Sequence, residues 1–246
     1  FLTKKIIRKA DSKDARILFL YPNERGMSTI PPSIAGLSQI LKNEGHTTGL
    51  FDTTFYKFDD EITVEDSDKI KANALENRPV LDRDDDDLHF KKTTSSAVED
   101  FRKSLIDFKP DLIAVSCTET TFLRAIRMID ETRDLGIKNI FGGVFPTFAP
   151  DLAMTYPNVD MVCVGEGENA MIDLANSIGN QEARFDITNI WFRMEDNTIH
   201  KNSISRPVNI DEVPAITDIE LFGEKRFYRP MGGKIRRLLP VETHRG

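Results

Sequence analysis

Glycines and small polar residues recur at four separated points of the chain, in a pattern suited to cradling a large ligand. The stretches are Pro22-Asn23-Glu24-Arg25-Gly26, Ser116-Cys117-Thr118-Glu119, Gly142-Gly143-Val144-Phe145-Pro146-Thr147 and Gly165-Glu166-Gly167. Glycine tolerates positive φ and lets backbone approach a bound group closely, while hydroxyls and a carboxylate supply hydrogen bonds. Turn geometry alone accounts for any single glycine pair; the four loops together point to a bound cofactor. The chemistry on offer is holding rather than bond breaking, and no catalytic residue is assigned. A GxGxxG fingerprint and a Walker lysine are both missing, which argues against a dinucleotide or a nucleoside triphosphate. No CxxC or CxxxCxxC spacing is present for a zinc or iron–sulfur site. The 2 cysteines, Cys117 and Cys163, leave open a disulfide, a metal site or plain core packing, and packing is the expectation. His89, His200 and His244 are scattered and form no ligand set.

Something must position these loops, and the apolar patterning says what. Residues 16–21 (RILFLY) form a short apolar run suited to a buried parallel strand. Pro31-Pro32 then opens a helix with Ile34, Leu37, Ile40 and Leu41 on one face, and Gly45 stops it. Residues 47–51 give the second strand. Pattern resumes with a helix over 96–108 that uses Ala97, Phe101, Leu105 and Phe108, then a strand over 112–116. A helix over 119–135 is expected to turn Leu123, Ile126 and Ile129 inward, with Gly136 ending it. Strands at 139–141 and 161–164, a short helix near 150–155 and a helix over 168–178 complete an α/β alternation. Such alternation calls for a parallel sheet covered on both faces, here a flavodoxin-like (Rossmann-like), doubly wound sheet of five strands. Ligands of such sheets bind beyond the carboxyl ends of the strands, where the four loops fall.

The rest of the chain reads as attachments. An acidic insertion spans about 52–95 and contains Asp84-Asp85-Asp86-Asp87, which lacks the glycine and terminal glutamate of a calcium loop. Residues 187–194 and 198–201 are expected to form a small β-hairpin around Asp196-Asn197, with Trp191 as packing, and 206–228 an extended linker. This divides the chain into an α/β domain (1–180), a hairpin and linker (181–232) and a further lead-in (233–246).

With 246 residues, 39% apolar and 30% charged, the chain can bury a sizeable core. A net charge of −7 argues against a general nucleic-acid binder, and the basic run Lys225, Arg226, Arg229, Lys234, Arg236 and Arg237 reads as a solvated linker or domain contact. No apolar stretch reaches the roughly 20 residues that span a bilayer, and no signal peptide is evident, so a cytoplasmic protein is expected.

In this order and context the loops resemble the cobalamin-binding domain found at the N-terminus of B12-dependent radical SAM proteins. The similarity spans about 16–179. Ser116-Cys117-Thr118 stands where that family has Ser-x-Leu or Ser-x-Thr, Gly142-Gly143 where it has Gly-Gly, and Gly165-Glu166-Gly167-Glu168 where it has Gly-Glu-Gly-Glu. Residues 241–246 resemble the strand and turn that precede the three-cysteine iron–sulfur loop of the radical SAM barrel. The resemblance therefore implies a cofactor-carrying module separated from its catalytic partner, with Phe1 marking an incomplete start. The parent would use a [4Fe–4S] cluster and S-adenosylmethionine for methyl transfer or related radical chemistry.

One motif departs from the pattern. Many cobalamin proteins carry Asp-x-His-x-x-Gly after the first strand, the histidine serving as lower cobalt ligand. Here Gly26 is kept, but Asn23 replaces the histidine and Tyr21 the aspartate. An amide is a poor cobalt ligand beside imidazole, and His46 lies at the far end of the first helix. The resemblance then implies base-off cobalamin without histidine ligation. Its tail would thread between the first and third strands, near Ser116, Thr118, Gly142 and Gly143. The corrin would rest on the loops containing Asn23 to Ser28, Thr118 to Thr121 (with Glu119) and Phe145 to Thr147 (with Pro146). Glu166 would accept hydrogen bonds from corrin amides or ribose, or else cap the following helix. The rival readings are a flavodoxin-like scaffold or regulatory module without cobalamin, and a nucleotide-sugar or phosphate binder.

Overall fold

The computed structural model describes residues 14–23, 30–56, 58, 93–206, 208–209, 218–231 and 234–239. The aspartate run 84–87, His89, His244, Gly26 and the lead-in over 241–246 lie outside the described residues.

Strands β1 (Arg16–Tyr21), β2 (Thr47–Asp52), β3 (Leu112–Ser116), β4 (Lys138–Gly142) and β5 (Met161–Cys163) run parallel in the order β2-β1-β3-β4-β5. Chain order reverses between β1 and β3, so the switch point of a doubly wound sheet lies there. The sheet does not stop at five strands, however. β6 (Ile190–Arg193) pairs antiparallel with β5, Val162 opposite Trp191, and β7 (Ile199–Lys201) pairs with β6, making seven. The expected hairpin thus forms around Asp196-Asn197 but extends the main sheet rather than standing beside it. The physical reason is an edge: short, fully buried β5 would otherwise present unpaired amides and carbonyls.

Helices α1 (Pro32–Asn43) and α6 (Glu168–Gly179) cover one face; α2 (Ala97–Phe108) and α3 (Glu119–Asp130) cover the other. Short helices α4 (Val144–Phe148) and α5 (Pro150–Thr155) cross between β4 and β5. Pro32 starts α1, where its missing N–H costs nothing, and Ser96 caps α2 by accepting the Glu99 N–H. Two expectations change on α3. Leu123 points outward, 61% exposed, because the inward stripe runs through Phe122, Ala125, Ile126 and Ile129. The helix also ends five residues early: the Thr132 hydroxyl bonds back to the Met128 carbonyl at 3.0 Å, and a 3-10 turn (Arg133–Leu135) leads to Gly136.

The expected linker is likewise not simply extended. Its described part forms 3-10 turns at Ile219–Leu221 and Glu224–Phe227, with Phe222 and Phe227 in the core beside α1. Asp218 accepts a hydrogen bond from Ser38 and a salt bridge from Lys42, both at 2.6 Å. Buried Arg226 pairs with Asp52 at 3.0 Å. A two-stranded hairpin, β8 (Tyr228–Met231) and β9 (Lys234–Arg237), follows. Among the described residues, no helix is long and apolar enough to cross a membrane.

Candidate functional site

Alternation along the strands sends successive side chains to opposite faces, and the two faces are filled differently near the carboxyl rim. Toward α2 and α3, Phe51, Phe101, Phe122 and Phe141 pack ring against ring, with centroid separations of 5.1 Å for Phe51–Phe101 and 5.6 Å for Phe122–Phe141. Toward α1 and α6 the corresponding strand positions are Ala114, Gly142 and Cys163, and packing stops short. A cavity of about 340 Å³ opens there, roofed by Leu37 and Met171 and floored by Phe19, Ala114 and Ile140. That volume falls within the range of roughly 300–1,000 Å³ usual for small-molecule sites.

Of the residues singled out by sequence, Ser116, Gly142, Gly143, Gly165, Glu166 and Gly167 converge on this cavity. Gly142 leaves its share of the space open: a Cβ placed there would meet nothing nearer than the Cys163 Cβ at 3.8 Å. Gly143 has a different reason to be glycine. At φ +100° it passes so close to the neighbouring loop that a Cβ would lie 2.6 Å from the Cys117 carbonyl oxygen. Gly165, at φ +89°, donates its N–H to Thr147 Oγ1 at 3.2 Å and so ties the β4 and β5 loops together. The Gly167 carbonyl accepts the Met171 N–H at 2.8 Å, starting α6.

The other candidates lie elsewhere. Asn23 is buried beyond β1, where its Nδ2 donates to Thr54 Oγ1 at 2.8 Å and its carbonyl accepts from Thr53 Oγ1 at 2.8 Å. Thr54 is in turn anchored on Asp52 at 2.5 Å. Cys117 packs on the filled face and donates its N–H to the Gly142 carbonyl at 3.0 Å. Thr118 and Glu119 sit exposed where α3 begins, the Thr118 N–H donating to Thr121 Oγ1 at 3.0 Å. Phe145 stacks on Phe122 at 4.5 Å and Pro146 is buried, so both support α4 rather than line the cavity. Glu166 neither caps α6 nor stands idle: its carboxylate accepts the Val208 N–H, and its carbonyl accepts from Asn189 Nδ2 at 2.9 Å.

Sequence reasoning passed over Ala114 and Cys163 as lining residues. The signal was present: a small residue in the middle of an apolar strand (LIAVS) leaves volume that a neighbour must fill or a ligand can occupy. Both cysteines are free and buried. Burial pushes the Cys163 thiol up to about 12, with Glu168 adding to it, and burial alone does the same to Cys117. Neither is therefore a thiolate near neutral pH, which is the form that binds metal. Among the described residues no three His, Cys, Asp or Glu side chains gather as a metal site. His46 precedes β2, at the opposite end of the sheet, where its Nδ1 accepts the Ala15 N–H at 3.2 Å, and His200 lies on the outer strand β7.

Comparison with known proteins agrees with this architecture. The B12 binding domain family matches residues 24–175. The 4'-phospho-dehydrooxetanocin synthase of Priestia megaterium is 27% identical over 151 residues, which cover 58% of this chain and 19% of that protein. The fold is shared with the cobalamin-dependent S-adenosylmethionine radical enzyme OxsB, solved with aqua-cobalamin and S-adenosylmethionine bound. The TM-score is 0.55 at 19% identity, over 84% of this chain and 25% of that one. It is also shared with the radical S-adenosylmethionine methyltransferase TsrM from Kitasatospora setae, with a TM-score of 0.54 at 16% identity, over 77% of this chain and 30% of that one. The chain thus spans less than a third of the length of these relatives. A parallel sheet with its switch point between β1 and β3, a one-sided cavity at the carboxyl rim and a match over most of the sheet lead to one conclusion: the chain belongs to the B12-binding domain family.

Proposed function

We propose that the chain is the cobalamin-holding module of a B12-dependent radical SAM enzyme, and that it takes the cofactor base-off with no histidine on the cobalt. The observation that carries the reading is the cavity between α1 and α6, open at the carboxyl rim of the sheet, where the other face is filled. Its volume suits the nucleotide tail of cobalamin and is far too small for the corrin, which would stay outside on the loops. Ser116 would offer a hydroxyl to the tail, Gly142 would leave room for it, and the apolar floor of Phe19, Ala114 and Ile140 would receive its aromatic base. Cobalamin, when bound, supplies a cobalt centre able to carry a methyl group.

The histidine-free reading is supported by the position of Asn23. Its amide is committed to Thr54, and neither described histidine, His46 or His200, stands at the carboxyl rim. In the whole enzyme, a [4Fe–4S] cluster and S-adenosylmethionine would be held by a radical SAM barrel beyond residue 233. The reaction would be methyl transfer to an unactivated carbon or phosphorus, or a related rearrangement. Two buried free thiols suit a cytoplasmic setting.

The test is direct. The purified chain is mixed with hydroxocobalamin, desalted and examined by visible spectroscopy. Corrin absorbance that co-elutes with the protein and has base-off features is the expected result. Colourless protein would leave the scaffold reading in its place, and a base-on spectrum would overturn the base-off part, with the cofactor's own base on the cobalt and not in the cavity.

A further inference from the structure

Glu166 lines the cavity, yet its carboxylate is spent on a distant piece of backbone, the N–H of Val208. The segment that carries Val208 is stitched to the same turn through Asn189, which is buried and held at φ +69°. Asn189 Nδ2 donates to the Glu166 carbonyl at 2.9 Å and to Ser205 Oγ at 3.0 Å. Its Oδ1 accepts the Ser205 N–H at 2.7 Å, and its own N–H donates to the Ser203 carbonyl at 2.9 Å. Ile204, between them, lies with its Cγ2 3.7 Å from the place a Cβ on Gly165 would take. Residues 203–206 and Val208 therefore run along the very loop that forms one wall of the cavity. Starting α6 does not require any of this, since Glu168 already supplies the acid in its first turn.

We infer that Glu166 is a positioning residue, a latch that holds residues 203–206 and Val208 against the cavity wall and slows the escape of whatever the cavity holds. The inference rests on the cobalamin reading for the identity of that ligand and adds a kinetic role to it. A hydrogen bond to a carboxylate is roughly twice as strong as a neutral one. Its loss should therefore loosen the wall that Gly165 and Glu166 form and act on dissociation more than on association.

Three substitutions separate the latch from a direct ligand contact. Glu166→Gln weakens the acceptor, Val208→Pro removes the donor, and Asn189→Ala removes the hub; Val208 and Asn189 do not line the cavity. Each variant is loaded with hydroxocobalamin, and release is followed by displacement with excess cyanocobalamin. We expect dissociation to rise about tenfold in all three, with association changed less than twofold. In ligand-free protein, deuterium exchange of the peptide over 203–209 should also quicken about tenfold in Glu166→Gln and Asn189→Ala. Faster release in Glu166→Gln alone would make Glu166 a ligand contact and overturn the latch, as would unchanged exchange in both variants. Wild-type protein that retains no cobalamin would sink the reading of the cavity, and the exchange measurement would still decide whether the latch exists.

Discussion

The two faces of the central sheet bury side chains equally well but end differently at the carboxyl rim. Where α2 and α3 pack, aromatic rings from β2, β4 and both helices meet, and the face is closed. Where α1 and α6 pack, β3, β4 and β5 contribute Ala114, Gly142 and Cys163 opposite Ile34, Leu37 and Met171 of the helices, and a cavity stays open between them. Helix-to-sheet distance is set by the larger side chains deeper in the core, so small residues near the rim leave a void rather than pull the helices inward. Interiors are otherwise close-packed, and an unfilled space of this size is costly to keep. The face that tolerates such a cost is the one expected to recover it by binding.

The contrast can be broken from either side. Phe141→Ala, on the closed face, should cost about 3–5 kcal/mol of stability in denaturant titration, with cobalamin affinity unchanged once the protein is folded. A stability loss below about 1 kcal/mol would mean that the closed face is not the structural one. Gly142→Leu, on the open face, should do the reverse. It drives a branched side chain into the cavity, and cobalamin retention after desalting should fall about a hundredfold while the melting temperature holds, the void accepting the added volume. Tight binding by this variant would show that the tail lies elsewhere.

The thiols sharpen the comparison, since Cys163 belongs to the open face and Cys117 to the closed one. Burial pushes each up to about 12 from an ordinary value of 9.0. Below pH 9 both are protonated in folded and unfolded chains alike, and that contribution is fully present. Above pH 9 the unfolded chain gives up protons that the folded chain keeps, so stability should fall as pH rises toward 12. The decline is about 1.4 kcal/mol per pH unit for each thiol. Thermal melts between pH 8 and 10.5 should show a shallower decline in both Cys163→Ala and Cys117→Ala, and a slope untouched by either change would refute this assignment. Smallest of all, Ser96→Ala should remove the α2 cap and cost about 1 kcal/mol or less, with no change in cobalamin release.

Much of this was legible before any coordinates. Apolar runs bounded by charge, proline and glycine locate β1 to β5 and their helices, because strand and helix periods are local properties of the chain. Residues 190–193 were legible as half of a hairpin but not as a sixth strand, since which edge a hairpin joins depends on what that edge leaves unpaired. Leu123 misled for a related reason: an apolar side chain one position off the stripe looks like core until the helix is turned to its sheet. For the site, Gly142-Gly143 and Gly165-Glu166-Gly167 were recognisable by residue type alone. Asn23, Phe145 and Pro146 carried the same kind of signal, but Asn23 ties two loops together, Phe145 packs on Phe122 and Pro146 is buried in α4.

By itself the sequence determined the kinds of elements and the loops that reach the rim, because backbone preference and hydrophobic period act over a few residues. It also determined the absence of a histidine at position 23. Only the tertiary structure decided that Ala114, Cys163 and Gly142 share one cavity, that the hairpin seals β5, and that Glu166 spends its carboxylate on Val208. Those outcomes depend on which surfaces meet across long stretches of chain, and burial, volume and unsatisfied hydrogen bonds are summed only when the chain closes on itself.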